Sequence, residues 1–211
     1  MTTDTDSTVY VIDDDKAVRD SLHWLIESVG LKVKSFHTAN TFLDDIRATG
    51  EPDSGCLVVD VRLPGMSGLD LQDRLNELNI HVPIIVITGH GDVPVAVRAM
   101  KAGAVDFIEK PFSDQLLLDR IRDALDQDAQ RMEMSTQKAE LEQRLARLTP
   151  REREVMDLVV QGKLNKQIAA ELGLSHKTIE VHRAHVMEKM GAESLAELVR
   201  MAVALEQDAA A

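Results

Sequence analysis

Asp60 closes a short apolar run, Cys56-Leu57-Val58-Val59, and opens the segment Val61-Arg62-Leu63-Pro64-Gly65-Met66-Ser67-Gly68. A Val-rich run that short, bounded by turn residues, reads as a buried parallel strand. The Asp60 carboxylate then sits where the strand emerges into a loop. A lone aspartate in that place is usually a turn or helix cap, but Asp60 has company. Asp13, Asp14 and Asp15 follow the strand-like Thr8–Ile12, Thr88-Gly89-His90 closes Pro83–Thr88, and Glu109-Lys110-Pro111 follows Ala104–Ile108. Carboxylates, a hydroxyl and an amine therefore belong to the carboxyl ends of neighbouring strands.

Carboxylates held this close repel unless a cation neutralises them. Oxygen-only donors point to a hard divalent ion, with Mg2+ the natural choice, and no Cys/His spacing supports zinc. A carboxylate beside Mg2+, a lysine and a threonine is equipped to take a phosphoryl group, with Asp60 as nucleophile. One of Asp13–Asp15 is expected to cap the following helix; three exceed what capping needs. Pro111 after Lys110 suggests a fixed turn, with a cis bond among its options.

The elements that must position these residues alternate. Strands are predicted at Thr8–Ile12, Leu31–Phe36, Cys56–Asp60, Pro83–Thr88 and Ala104–Ile108. Helices are predicted at Lys16–Val29, Ala39–Thr49, Gly68–Leu78, Val93–Lys101 and Ser113–Leu125. Repeated β-α units imply an α/β fold, a five-stranded parallel sheet with helices on both faces. Ligands of such sheets bind outside the strands' carboxyl ends, where the chemical residues cluster.

Composition narrows the function classes. The 211 residues leave room for two domains. With 36 acids against 24 bases the net charge is −12, which argues against a wholly basic nucleic-acid coat. The single cysteine, Cys56, excludes an internal disulfide and fits a reducing compartment. The polar, acidic start lacks the features of a signal peptide, and no apolar run approaches a membrane span. The expectation is a cytoplasmic protein without a membrane partner.

Val11-Ile12-Asp13-Asp14-Asp15, Val59 through Gly68, Ile87-Thr88-Gly89-His90 and Lys110-Pro111-Phe112 together resemble the receiver domain of bacterial response regulators. The resemblance implies a flavodoxin-like sheet and Asp60 as phosphoacceptor. It implies Mg2+ held by Asp13, Asp14, Asp60 and the backbone carbonyl of Arg62, with Asp14 favoured as direct ligand. It also implies that Thr88 and Lys110 contact phosphoryl oxygens. Phe107 takes the switch-aromatic position, where many members carry tyrosine.

Between Leu116 and Leu148 there is neither Gly nor Pro. Apolar residues recur at Leu118, Ile121, Leu125, Met132 and Ala139, then at Leu141, Leu145 and Leu148, with a change of phase between the sets. The pattern predicts a helix running on into an amphipathic connector that self-associates like a coiled coil, with Asp126–Arg131 polar on its other faces. The domain division expected is 1–125, a helical linker over 126–147, and 148–211.

Thr149-Pro150-Arg151-Glu152 forms a capping box with Pro at N1. Helices are predicted from there to Val160, over Asn165–Leu172, from His176 to Met190, and over Ser194–Leu205. Helix, three-residue turn, helix is the helix-turn-helix pattern, whose second helix reads the major groove. From Thr149 onward eight Lys/Arg face ten Asp/Glu, whereas Gly162–Met190 holds five against three, so basic charge is local. Leu148–Glu152, Asn165-Lys166-Gln167-Ile168-Ala169 and Ser175–Arg183 resemble the LuxR-type output domain, closest to the FixJ branch of the FixJ/NarL class.

Together the resemblances imply a two-component response regulator rather than an enzyme. The chain would accept a phosphoryl group on itself and be able to lose it again. Implied partners are a sensor histidine kinase, a double-stranded DNA operator, RNA polymerase and, on phosphorylation, a second copy. The expected DNA-binding residues are Lys166, Lys177, Thr178, Glu180, Val181, His182, Arg183 and Lys189. Two alternatives compete with this reading. A dehalogenase-like phosphatase needs an acid two residues after its nucleophile, where Arg62 stands. A receiver with a protein- or RNA-binding output lacks support from interleaved aromatics.

Overall fold

The computed structural model of the chain describes residues 7–50, 54–89 and 93–206. They form two compact units, Met1–Met132 and Glu133–Ala211. His90, named above, lies outside the described residues.

In the first unit β1 (Thr8–Ile12), β2 (Lys32–Phe36), β3 (Gly55–Asp60), β4 (Ile84–Thr88) and β5 (Asp106–Glu109) alternate with five helices. These are α1 (Lys16–Ser28), α2 (Ala39–Thr49), α3 (Gly68–Glu77), α4 (Val93–Lys101) and α5 (Asp114–Ala146), which continues past Met132 into the second unit. The sheet is parallel with order β2-β1-β3-β4-β5. Side chains alternate across it, which divides the core in two. Tyr10, Ile12, Leu57, Val59, Ile84 and Val86 pack on α2, α3 and α4. Val9, Val11, Cys56, Val58, Ile85 and Ile87 pack on α1 and α5. Every residue of β3 is buried, as expected of a central strand covered on both faces.

Several boundaries shift by one residue from the sequence reading, and the start of β5 shifts by two. β5 begins at Asp106, not Ala104, because Ala104 N–H bonds to Ala99 O at 3.0 Å and closes α4 around Gly103, whose φ is +92°. The change of apolar phase after Ala139 does not interrupt α5. With no Gly or Pro to break the ladder, the phase change alters which face is apolar and leaves the helix intact.

Asp128 is the larger surprise. Expected on a polar face of the connector, it is only 2% exposed. One carboxylate oxygen accepts the backbone N–H of Gly55 at 2.9 Å. The other accepts Arg131 Nη2 at 2.7 Å and Nε at 3.2 Å. α5 is thereby bonded to the amino end of β3 across a separation of 73 residues in the chain. Position 55 must be glycine, since a Cβ there would meet the Thr8 carbonyl oxygen. Burial first, and then the Asp128 charge, push the thiol pKa of neighbouring Cys56 upward, so Cys56 is an inert core residue.

The second unit contains α6 (Pro150–Val160), α7 (Asn165–Leu172), α8 (His176–Met190) and α9 (Leu195–Glu206). Their shared core includes Val155, Met156, Val159, Ile168, Ile179, Val186, Met190 and Leu198, with Leu145 and Leu148 against it.

Asp128→Ala removes the charge-assisted hydrogen bonds to Gly55 and Arg131 and leaves Gly55 N–H unpaired. It is expected to lower the stability of the first unit by about 2 kcal/mol and to speed amide exchange at Gly55. Urea unfolding with exchange mass spectrometry checks this; parent-like exchange at Gly55 would count against the bond.

Candidate functional site

Four strand ends meet at one edge of the sheet. Asp13 follows β1, and its N–H bonds to Phe36 O at 3.3 Å, extending the β1–β2 pairing by one residue. Asp60 ends β3, Thr88 ends β4, and Lys110 follows β5, its N–H bonded to Thr88 O at 2.7 Å. Asp13, Asp60 and Thr88 are buried, at 1%, 6% and 0% exposure. The Lys110–Pro111 peptide is cis.

Lys110 Nζ lies between the two buried acids, 2.7 Å from Asp13 Oδ2 and 2.8 Å from Asp60 Oδ1. The remaining oxygens are also held: Asp13 Oδ1 accepts Asp15 N–H at 2.9 Å, and Asp60 Oδ2 accepts Arg62 N–H at 2.6 Å. Burial works against the Lys110 charge, but the hydrogen bonds it donates to Asp13 and Asp60 outweigh it, so its pKa is raised above the ordinary lysine value. The lysine stays an ammonium at neutral pH.

The loop after Asp60 is drawn back over the strand end. Val61 N–H bonds to Ile87 O at 3.0 Å, and Gly68 N–H to Val61 O at 3.1 Å. A Cβ at Gly68 would collide with the backbone oxygen of Asp60. Ser67 caps α3 by accepting Asp70 N–H at 3.1 Å. Asp15 does the capping of α1, accepting Ala17 N–H at 2.8 Å. Asp14 is exposed on the same loop. Phe107 on β5 is half-buried against the core beside α4.

The donors fit a hard cation in kind. All are oxygens, and two buried carboxylates face one ammonium, which leaves negative charge uncompensated. Among the described residues no three His, Cys, Asp or Glu side chains converge into a metal cage on their own; Asp14 is exposed.

Comparison with known proteins bears on both units. The family described as "Response regulator receiver domain" matches residues 9–122, and "Bacterial regulatory proteins, luxR family" matches residues 146–202. The chain is 52% identical to Nodulation protein W of Bradyrhizobium diazoefficiens over 201 residues, 95% of this chain and 87% of that one. The chain belongs to the response regulator family. It is also 51% identical to the transcriptional regulatory protein FixJ of Azorhizobium caulinodans, over 92% of this chain and 91% of the relative. The solved structure of the response regulator StyR covers 94% of this chain and 98% of its own, at 45% identity and a TM-score of 0.83. This response regulator joins a receiver to a LuxR-type DNA-binding domain, so its family is regulatory and not catalytic. Membership implies a sensor kinase partner and DNA binding. No described helix is long and apolar enough to cross a membrane.

In the output unit α7, the turn Gly173-Leu174-Ser175 and α8 form the helix-turn-helix. Gly173 takes the left-handed conformation at φ +66°, and Ser175 caps α8 by accepting Thr178 N–H at 3.1 Å. Lys166, Lys177, Glu180 and Val181 are exposed, while Thr178, His182 and Arg183 are half-buried. Arg183 Nη1 donates to Asn165 Oδ1 at 2.6 Å and ties α8 to the first residue of α7.

Lys189, expected at the DNA, also has a partner within the domain. Its Nζ is 2.6 Å from Oε2 of buried Glu152, whose other oxygen is 3.4 Å from His185 Nδ1. Glu152 also accepts Thr149 N–H at 2.8 Å, completing the capping box of α6. The sequence shows the box but not that the same carboxylate anchors α8. Two further residues went unnoticed: Asp128, and Arg19, whose guanidinium bonds the backbone of the acidic loop. A cation placed four positions after Asp15 on α1 was the available signal.

The hydrogen bond from Lys189, then that from Thr149, hold the Glu152 carboxyl at about 2, against an ordinary value of 4.5. Its contribution to stability is therefore complete above pH about 4.5 and is lost as pH falls from there towards about 2. Glu152→Gln is expected to flatten that part of the acid-unfolding profile of α6–α8, followed by amide exchange against pH. An unchanged acid limb would show that the carboxylate does not carry it.

Proposed function

We propose that Asp60 is the phosphoacceptor of this response regulator and that its phosphorylation by a sensor histidine kinase controls operator binding. The observation that carries this is the bridge of Lys110 to buried Asp13 and Asp60 at the sheet edge. An Asp60 oxygen attacks the phosphorus of the donor. A P–O bond forms, the P–N bond to the kinase imidazole breaks, and the leaving nitrogen takes a proton. Lys110 gives its ammonium to the phosphoryl oxygens, with the Thr88 hydroxyl beside it. Attack of water on the acyl phosphate restores the Asp60 carboxylate and releases phosphate. Asp13, Asp14, Asp60 and the Arg62 carbonyl would hold Mg2+, which when bound offsets the carboxylate charge and draws charge from the transferring group.

The domains divide as receiver 1–125, connector 126–147 and output 148–211. Lys166, Lys177 and Arg183 contact DNA phosphates, while Thr178, Glu180, Val181 and His182 lie at base edges in the major groove. Lys189 is left out because Glu152 holds it. Phosphorylation draws Thr88 and Lys110 inward, repositions Phe107 and favours a dimer through α4. Val93, Val97 and Met100 are exposed large apolar residues there, whereas Ala99 and Ala104 are buried. Two output domains then read half-sites about one helical turn apart and bring RNA polymerase to the promoter.

Asp60→Asn should take no label from acetyl phosphate with Mg2+, while the parent labels fully; full labelling of the variant would defeat the assignment. With beryllofluoride the parent should sediment as a dimer and bind duplex DNA more tightly. A monomer with unchanged affinity would remove the switch. Lys177→Ala should weaken binding evenly across sequences and lower the salt slope by about one unit, read from a salt-titrated binding assay.

A further inference from the structure

Arg19 stands on the second turn of α1, outside the set of residues assigned to the pocket, yet its Nη1 donates to Asp13 O at 2.7 Å and to Asp14 O at 2.9 Å. The second of these carbonyls belongs to the peptide whose N–H is that of Asp15. That N–H is the donor to Asp13 Oδ1 at 2.9 Å. Asp13 Oδ2 meets Lys110 Nζ at 2.7 Å, and Lys110 meets Asp60 at 2.8 Å. One chain of hydrogen bonds thus runs from Arg19 through a single peptide unit to Asp13, Lys110 and Asp60.

We propose that Arg19 is a positioning residue for the phosphoacceptor pocket, fixing the Asp14–Asp15 peptide so that its N–H orients the Asp13 carboxylate. A peptide bonded at its carbonyl by a cation is a better donor at its N–H, because successive hydrogen bonds polarise one another. The planar guanidinium also reaches two adjacent carbonyls, which pins the turn and with it the backbone that carries Asp14. Arg19 touches neither the acceptor oxygen nor the phosphoryl group. It acts through Asp13, and groups that orient metal-binding carboxylates in this way change metal affinity by about tenfold or more when removed. This inference rests on the phosphoacceptor reading above.

The experiment uses the full chain as parent, Arg19→Ala and Arg19→Lys. In Arg19→Ala, amide exchange at Asp15 should accelerate, Mg2+ binding by calorimetry should weaken by about tenfold, and labelling by acetyl phosphate should slow. Excess Mg2+ should restore that labelling rate, which general loss of structure would not allow. Arg19→Lys should recover part of the affinity, since an ammonium keeps the charge and one of the bonds. Parent-like exchange at Asp15 together with parent-like Mg2+ affinity overturns the proposal, as does a labelling defect that excess Mg2+ leaves untouched. If the parent itself takes no label, the phosphoacceptor reading fails, and the exchange at Asp15 still decides Arg19.

Discussion

Two carboxylates buried at the same sheet edge cannot both keep their charge without a cation between them, and Lys110 is that cation. Removing a carboxylate from water costs several kcal/mol after relaxation, and a partner recovers this only if geometry is good and the remaining lone pairs are met. Here each acid has one oxygen on Lys110 and the other on a backbone N–H. The arrangement demands that β1, β3 and β5 end at the same level. Parallel pairing with Asp60 opposite Ile87 and Thr88 opposite Glu109 provides it. Sheet register is thus a condition of the chemistry, because a slip of one residue would turn Asp60 to the other face.

β3 carries this constraint through the receiver. Its carboxyl end presents Asp60; its amino end is held by Asp128 of α5. Both ends are crowded enough to need glycine nearby, Gly68 against the Asp60 backbone and Gly55 against Thr8. The strand between them is buried throughout, so neither end has slack. α5 begins as a receiver helix and continues past the last receiver residues, and the Asp128 bond lies on that continuation, beyond residue 122 where the receiver family match stops. The start of the connector is therefore part of the receiver's packing and not a free tether.

What could be read from the sequence was what neighbours in the chain decide. Valine-rich runs, the Thr149–Glu152 box, the glycine after α7 and the acids after β1 are local signals, and they placed the sheet, the helices and the strand-end cluster. What the sequence hides involves partners distant in the chain. Asp128 looks solvated until β3 arrives with an unpaired N–H, and Lys189 shows no protein partner until α6 packs beside α8 and offers Glu152. The start of β5 moved because Ala104 spends its N–H on the turn that closes α4. A charged side chain's partner depends on which backbone or carboxylate tertiary packing leaves unsatisfied, and no periodicity reports that.

The pairing of Lys189 changes the electrostatics of the output domain. Gly162–Met190 holds five cations. Of these, Lys189 is bound to Glu152 and Lys163 to Glu171, both within the domain. In the proposed reading Lys166, Lys177 and Arg183 are the cations left for phosphates. Each phosphate neutralised contributes roughly −0.9 to the slope of log affinity against log salt, so a single output domain with three such cations has a small electrostatic hold, in a chain whose net charge is −12. Joining two copies doubles the number of phosphate contacts and makes the second domain's binding intramolecular. A receiver that governs pairing can then govern operator occupancy without touching the recognition helix. Under the proposed function such control requires a weak single domain, since a domain that bound tightly alone would occupy its site whatever the state of Asp60.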